Sequence, residues 1–243
     1  MHILLFGASG HVGTGLARRL NRHHHITGVV RRRPEAAAPF TTLVVPDWVD
    51  DPDQVVSALA GHAADDGSAD VAASADPVDS ESVGAEPVDA VIAAVGGWFI
   101  DRPLLERGLE KFDEDFDSYL RGHFSACTIS QRLAESRPRA ATETAKVAHL
   151  ALNGVASRQA LPGSGSISVF GAGQSMLIRV AAAEATTVDF RELRIMAPVG
   201  GDDRNDLTGG VETIALAEVA EAVESILHSP ERFEVCTEIG PQA

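Results

Sequence analysis

Cysteine, lysine and tyrosine are nearly missing from these 243 residues. There are two cysteines, one tyrosine and, at Lys111 and Lys146, two lysines. Cys127 and Cys236 are too few for a disulfide framework and have no metal-ligand spacing. Aromatic residues make up only 5% of the chain. There is no charged-then-apolar leader and no apolar run of transmembrane length, which reads as a soluble, cytoplasmic protein without a membrane partner.

Acid is what the chain has in excess. Thirty-five Asp and Glu oppose twenty basic residues, for a net charge of -15, and all but two of the basic residues are arginine. An acidic, lysine-poor, alanine-rich surface resembles proteins of salt-loving archaea, where salt screens carboxylate repulsion. A merely acidic protein from a GC-rich genome is the alternative. Either surface repels phosphates, so no nucleic-acid partner is expected.

The chain opens with an apolar strand, His2–Phe6, and runs into Gly7-Ala8-Ser9-Gly10-His11-Val12-Gly13 before a helical stretch. A strand, three glycines spaced G-x-x-G-x-x-G and a helix form the turn that receives a dinucleotide. Glycine lets backbone approach the pyrophosphate, and the free N–H groups of the helix start face its charge. Further strands are expected at 26–31, 42–46, 90–95, 147–152, 193–197 and 233–238. Helices are expected at 12–21, 52–59, 103–109, 115–135, 174–185 and Leu216–His228. This alternation predicts an α/β chain over 1–243: one doubly wound Rossmann domain with about seven parallel strands. Residues 63–87 break the rhythm with seven acids, no basic residue and no aromatic, and read as an exposed, mobile acidic insertion.

The expected carboxyl edge of the sheet carries the other binding candidates. Arg31 and Arg32 follow the second strand, where an acid would hold the ribose hydroxyls of NAD and an arginine accommodates the 2′-phosphate of NADP. Asp47 and Trp48 follow the third strand. They could meet and flank an adenine, or Asp47 could simply start a turn. Ala94, Val95 and Gly96 end the fourth strand, where small residues let backbone lie beneath a ribose and nicotinamide.

With these features the chain resembles a short-chain dehydrogenase/reductase along nearly its whole length. Ala94-Val95-Gly96-Gly97 stands where that family has Asn-Asn-Ala-Gly, and Ala151-Leu152-Asn153-Gly154 matches its serine strand. Ser168 to Gln174 matches its Tyr-x-x-x-Lys helix, and Ala217 to Val223 resembles a late helix. The resemblance implies a hydride-transferring oxidoreductase acting on a small carbonyl compound, and Arg31 and Arg32 point to NADP in preference to NAD. It also implies a homo-dimer or homo-tetramer formed through helices 115–135 and 174–185. Within that family Tyr, Lys, Ser and Asn supply the proton relay. Here those positions read Phe170, Gln174, Gly154 and His123.

The loss does not depend on alignment, because no lysine lies four residues after the one tyrosine, Tyr119. Phenylalanine cannot exchange a proton, and neutral glutamine cannot lower a neighbour's pKa, though Gln174 could hydrogen-bond a ribose. A non-catalytic, dinucleotide-binding sensor or regulator is therefore the alternative reading. His123 and Ser157 are the remaining catalytic candidates, with a histidine satisfied by backbone and a polar-loop serine as their plain readings. The His23-His24-His25 run lacks the i, i+4 face of a helical metal pair and reads as loop surface, so no metal is expected.

Overall fold

A computed structural model describes residues 1–65, 87–98, 101–137, 146–201 and 212–241. Seven strands are linked as a single sheet: β1 (His2–Phe6), β2 (His25–Val30), β3 (Thr41–Val44), β4 (Ala90–Ala93), β5 (Val147–Gly154), β6 (Val188–Ile195) and β7 (Cys236–Ile239). Their order is β3-β2-β1-β4-β5-β6-β7, and every pair is parallel. The expected Rossmann α/β fold is therefore the observed one.

Parallel strands need crossover helices, which cover both faces of the sheet. α1 (His11–Leu20) and α6 (Leu216–His228) cover one face, α2 (Asp53–Asp65), α4 (Gly122–Ser136) and α5 (Ser166–Glu184) the other. Alternation along β1 divides the core accordingly. Ile3 and Leu5 pack with Leu16, Leu20, Val219 and Val223. Leu4 and Phe6 pack with Trp48, Ile129, Leu133 and Ile178. All carboxyl ends thus lie along one edge, where ligands bind such sheets.

Several boundaries differ from the sequence expectation. β6 begins at Val188, because its charged residues are paired: Asp189 with Arg191 at 2.9 Å, and Glu192 with Arg194 at 2.7 Å. β7 is shifted to Cys236–Ile239 behind a 3₁₀ turn at Pro230–Arg232. α2 runs to Asp65, past the expected end of its helix and into the acidic insertion, of which residues 66–86 lie outside the described part. In place of a helix at 103–109 there is a 3₁₀ turn, Leu104–Glu106, and then α3 (Leu109–Phe116). The expected long helix is α3, a π turn at Asp117–Arg121 and α4 in succession.

α5 begins at Ser166, eight residues before the expected start, so Phe170 and Gln174 sit well inside it. Its glycines serve close packing: a Cβ on Gly171 would come within 3.1 Å of Ser157, and one on Gly173 within 3.2 Å of Leu120. Among the described residues α5 is also the one helix long and apolar enough, by length and composition, to cross a membrane. It lies instead along β5 and β6, with Ile167, Phe170 and Ile178 buried.

Candidate functional site

The turn after β1 is built for close approach. Gly7 has φ +73°, and a Cβ there would stand 2.1 Å from the carbonyl oxygen of Ala94. One on Gly13 would lie 2.2 Å from the carbonyl oxygen of Gly7. Only glycine lets the turn, β4 and α1 meet this closely. The Gly10 N–H donates to the Gly7 carbonyl at 2.9 Å, and the Thr14 hydroxyl to that of Ala8 at 2.8 Å. α1 starts without a side-chain cap, and Ser9 is exposed beside it. Uncapped N–H groups at an open helix start suit an anion, the role expected of Gly7, Ser9, Gly10, His11, Val12 and Gly13, although the Gly10 N–H is already bonded within the turn. Val12 nevertheless packs against the core, leaving only its backbone for that role.

His11 makes a contact that sequence spacing could not reveal. Its Nε2 is 3.0 Å from the carbonyl oxygen of Gly200, in the segment after β6. A carbonyl only accepts, so Nε2 carries the proton. The ring ties the glycine turn to that segment, part of which (202–211) lies outside the described residues.

Arg31 and Arg32 directly follow β2 and are exposed, on the side expected for a 2′-phosphate. Asp47 is exposed, and its carbonyl accepts from Asp50 and Asp51 at 3.0 and 2.9 Å, so it starts a turn. Trp48 departs from the expectation. It is 5% exposed with its ring 4.6 Å from that of Phe6, so it belongs to the core and cannot flank a base.

The ledge after β4 is shared. The Ala94 N–H donates to the Phe6 carbonyl at 3.0 Å, continuing the pairing with β1. Gly96 has φ +111°, and a Cβ on it would come within 2.9 Å of the Tyr119 ring. The Tyr119 hydroxyl donates to the Gly97 carbonyl at 2.8 Å, and burial is the main cause that pushes its pKa up to about 12. The π turn carries this tyrosine, as such turns often do near functional sites. Sequence reading missed Tyr119 as a lining residue because its contact with Gly96, 23 positions earlier, forms only in the fold.

At the positions that the resemblance marks as catalytic, the side chains are packed away or bonded to backbone. The Phe170 ring is 5% exposed and lies against Phe112 and Phe116, with centroids 4.8 and 5.7 Å away. Gln174, also 5% exposed, donates from Nε2 to the Leu152 carbonyl at 2.9 Å. It braces β5 instead of presenting its amide to a ribose, which corrects the expectation. Ser157 donates to the Gly154 carbonyl at 2.7 Å in a 3₁₀ turn, as a polar-loop serine would. Asn153 donates to the Gly171 carbonyl at 2.9 Å and accepts from the Gly154 N–H at 2.8 Å, locking β5 to α5.

His123 is fully buried, and its Nε2 donates to the Val95 carbonyl at 3.2 Å. Burial lowers its pKa to about 4, so it is neutral near pH 7 and holds the β4 ledge in place. The backbone thus engages one ring nitrogen, as the plain reading of this residue expects, while Nδ1 is buried without a hydrogen-bond partner. His149 is buried nearby, with its pKa pushed down to about 3 by burial and then by His123. Its Nδ1 is 2.7 Å from the Ser130 hydroxyl, which itself donates to the Ala126 carbonyl, so Nδ1 carries the proton. Another group invisible to spacing rules is the Arg107–Asp115 pair at 3.0 Å, with Ser166 donating to the same carboxylate. These residues lie on separate elements that meet only in the fold.

No protein-family model matches this chain, and no curated protein matches it in sequence. Solved structures do. A short chain dehydrogenase from Burkholderia cenocepacia J2315 in complex with NADP is 17% identical, with a TM-score of 0.67 over 99% of this chain and 88% of that one. A closed serine dehydrogenase complexed with NADP+ is 14% identical, with a TM-score of 0.71 over 98% and 94%. Ribose-5-phosphate isomerase from Brucella melitensis 16M is 16% identical, with a TM-score of 0.72 over 98% and 90%. At these identities the likeness is one of fold, and the chain has the fold of the short-chain dehydrogenases/reductases. That fold leaves the chemistry open, since an isomerase stands among the neighbours.

Proposed function

We propose that this chain binds a nicotinamide dinucleotide at the carboxyl edge of its sheet, NADP(H) in preference to NAD(H), and acts as a redox sensor or regulatory protein. The observation that carries this reading is the contrast between two ends of one site. The glycine turn is open and uncapped, whereas Phe170 and Gln174 are packed away. When bound, the dinucleotide would supply a hydride. The residues of this chain would hold it: N–H groups of the glycine turn on the pyrophosphate, Arg31 and Arg32 on the 2′-phosphate. Fluorescence titration at high salt should give a lower Kd for NADPH than for NADH. Arg31→Ala plus Arg32→Ala should erase a preference of about 10- to 100-fold, the scale of one to two charge-assisted contacts. Equal or tighter NADH binding by the native chain overturns the assignment.

A second reading, a diverged oxidoreductase acting on a small carbonyl compound with solvent as acid, is favoured by fold neighbours that are NADP-complexed dehydrogenases. Turnover assays separate the two readings.

The acidic surface and the outer helix faces support two further proposals, a cytoplasmic protein of salt-loving archaea and a homo-oligomer. α4 and α5 leave Phe124, Val169, Met176 and Val180 exposed, an apolar set that a second copy would cover. One salt series from about 0.1 to about 3 M KCl tests both, with the midpoint of thermal unfolding rising by roughly 10 °C as repulsion is screened. Light scattering should report a dimer or tetramer at the high end. A flat or falling midpoint removes the halophilic reading, and a monomer at high salt removes the oligomer.

A further inference from the structure

The opposite edge of the sheet carries a cluster that the dinucleotide site does not use. His24 lies in the turn between α1 and β2, and Glu224 and His228 lie one helical turn apart at the end of α6. One ligating atom from each of the three falls within 4.8 Å of the others. The imidazole that looked like loop surface in sequence is covered: the His24 side chain is 5% exposed, while His228 is open to solvent. Neither ring nitrogen of His24 makes a hydrogen bond, although Nε2 stands 3.5 Å from Glu224 Oε1. A buried imidazole with both nitrogens unsatisfied is costly unless something else engages it.

The geometry points to a binding site for a divalent transition cation of the zinc class, ligated by His24, Glu224 and His228 and completed by water. Two imidazoles and a carboxylate with one open position are a known donor set for such ions. The ligands are already oriented. His228 Nδ1 is 2.9 Å from the carbonyl oxygen of Glu224, so that nitrogen bears the proton and Nε2 keeps the lone pair that binds metal. The His24 N–H donates to the Leu20 carbonyl at 2.9 Å, pinning the turn that presents its ring. The His24 and His228 ring centroids are 5.5 Å apart. The i, i+4 face missing from the histidine run is supplied by α6, which contributes Glu224 and His228.

The ion would act as a staple, not as part of the dinucleotide chemistry. The ten residues of α1, about 15 Å of helix, separate this cluster from the glycine turn. Metal there would fasten the α1–β2 turn to the end of α6, elements joined otherwise by apolar packing of Leu16 and Leu20 with Val219 and Val223. In a chain with only two cysteines, both free, no disulfide makes that link.

The test uses the full chain without a polyhistidine tag, stripped with EDTA, dialysed and titrated with Zn²⁺ against a chromophoric chelator. One Zn²⁺ per chain with a Kd below about 1 μM is expected, with a rise of roughly 5 °C in the unfolding midpoint. Co²⁺ should give the intense visible bands of a four-coordinate ion. His228→Ala, at an exposed position that leaves the core intact, should weaken binding by about 100-fold, and Glu224→Gln by at least about 10-fold. NADPH binding should be unchanged in both variants. Weak binding of several Zn²⁺ per chain, or binding that survives both substitutions, would assign the ion to the acidic surface and overturn the site.

Discussion

Mixed with NADPH and a panel of aldehydes and ketones, the native chain is expected to fall short of ordinary carbonyl-reductase rates by about 10²–10⁴-fold, the usual contribution of a positioned proton donor. Among the described residues, the candidates at the positions the resemblance marks, together with Tyr119, are spent or unable. Phe170 has none to give and is wedged against Phe112 and Phe116. Gln174 is neutral and bonded to the Leu152 carbonyl. Tyr119 commits its hydroxyl to the Gly97 carbonyl, and its raised pKa of about 12 makes it a weak acid. His123 is buried and neutral against Val95.

Phe170→Tyr plus Gln174→Lys should be the variant that gains turnover, at a cost in stability from placing an ammonium where a buried amide sat. His123→Ala should change stability through its cavity and leave the background rate unchanged. Robust turnover by the native chain, indifferent to His123→Ala, would place an active site elsewhere.

Acid is expected to destabilise the fold well before its carboxylates titrate. His123 and His149 are held neutral in the folded state with pKa values of about 4 and about 3, whereas the unfolded chain restores both towards 6.5. As pH falls below 6.5 the unfolded state takes up protons that the folded state refuses. The stability contributed by the two imidazoles is fully present at pH 8 and is lost as the pH moves down towards 4. Between pH 8 and pH 5 the loss is up to about 4 kcal/mol for the pair, or roughly 10 °C in the unfolding midpoint.

The surface pushes the other way. A chain at -15 is relieved of self-repulsion as acid neutralises it, so an acidic protein without buried imidazoles would gain stability over this interval. Urea unfolding at pH 8, 7, 6 and 5 decides the sign. His149→Gln should remove about half of the slope, and a stability that is flat or rising from pH 8 to pH 5 would contradict the buried neutral pair.

Much of the fold was legible because its signals are local. Strand, glycine turn and helix sit within the first twenty residues, and apolar strands alternate with helical stretches thereafter. The misplaced boundaries have physical causes. The start of β6 was hidden by charged residues that the fold pairs, Asp189 with Arg191 and Glu192 with Arg194. The start of α5 lies before Gly171 and Gly173, residues of low helix propensity that here admit Ser157 and Leu120. Asp47 was legible as a turn starter, whereas nothing local distinguished Trp48 at the surface from Trp48 on Phe6.

By itself the sequence determined the α/β class, the glycine turn between the first strand and first helix, and the impossibility of a Tyr-x-x-x-Lys pair. Glycine spacing and hydrophobic period are short-range properties, and a chain with one tyrosine has no second to offer. Only the tertiary structure decided which side chains are available. His123 became a strut, Gln174 a brace for β5, and Tyr119 a cover for the Gly96 ledge. His24 met Glu224 and His228 from a point two hundred positions away in sequence. Burial and long-range juxtaposition arise when helices dock on the sheet, and desolvation then sets each group's charge and partners.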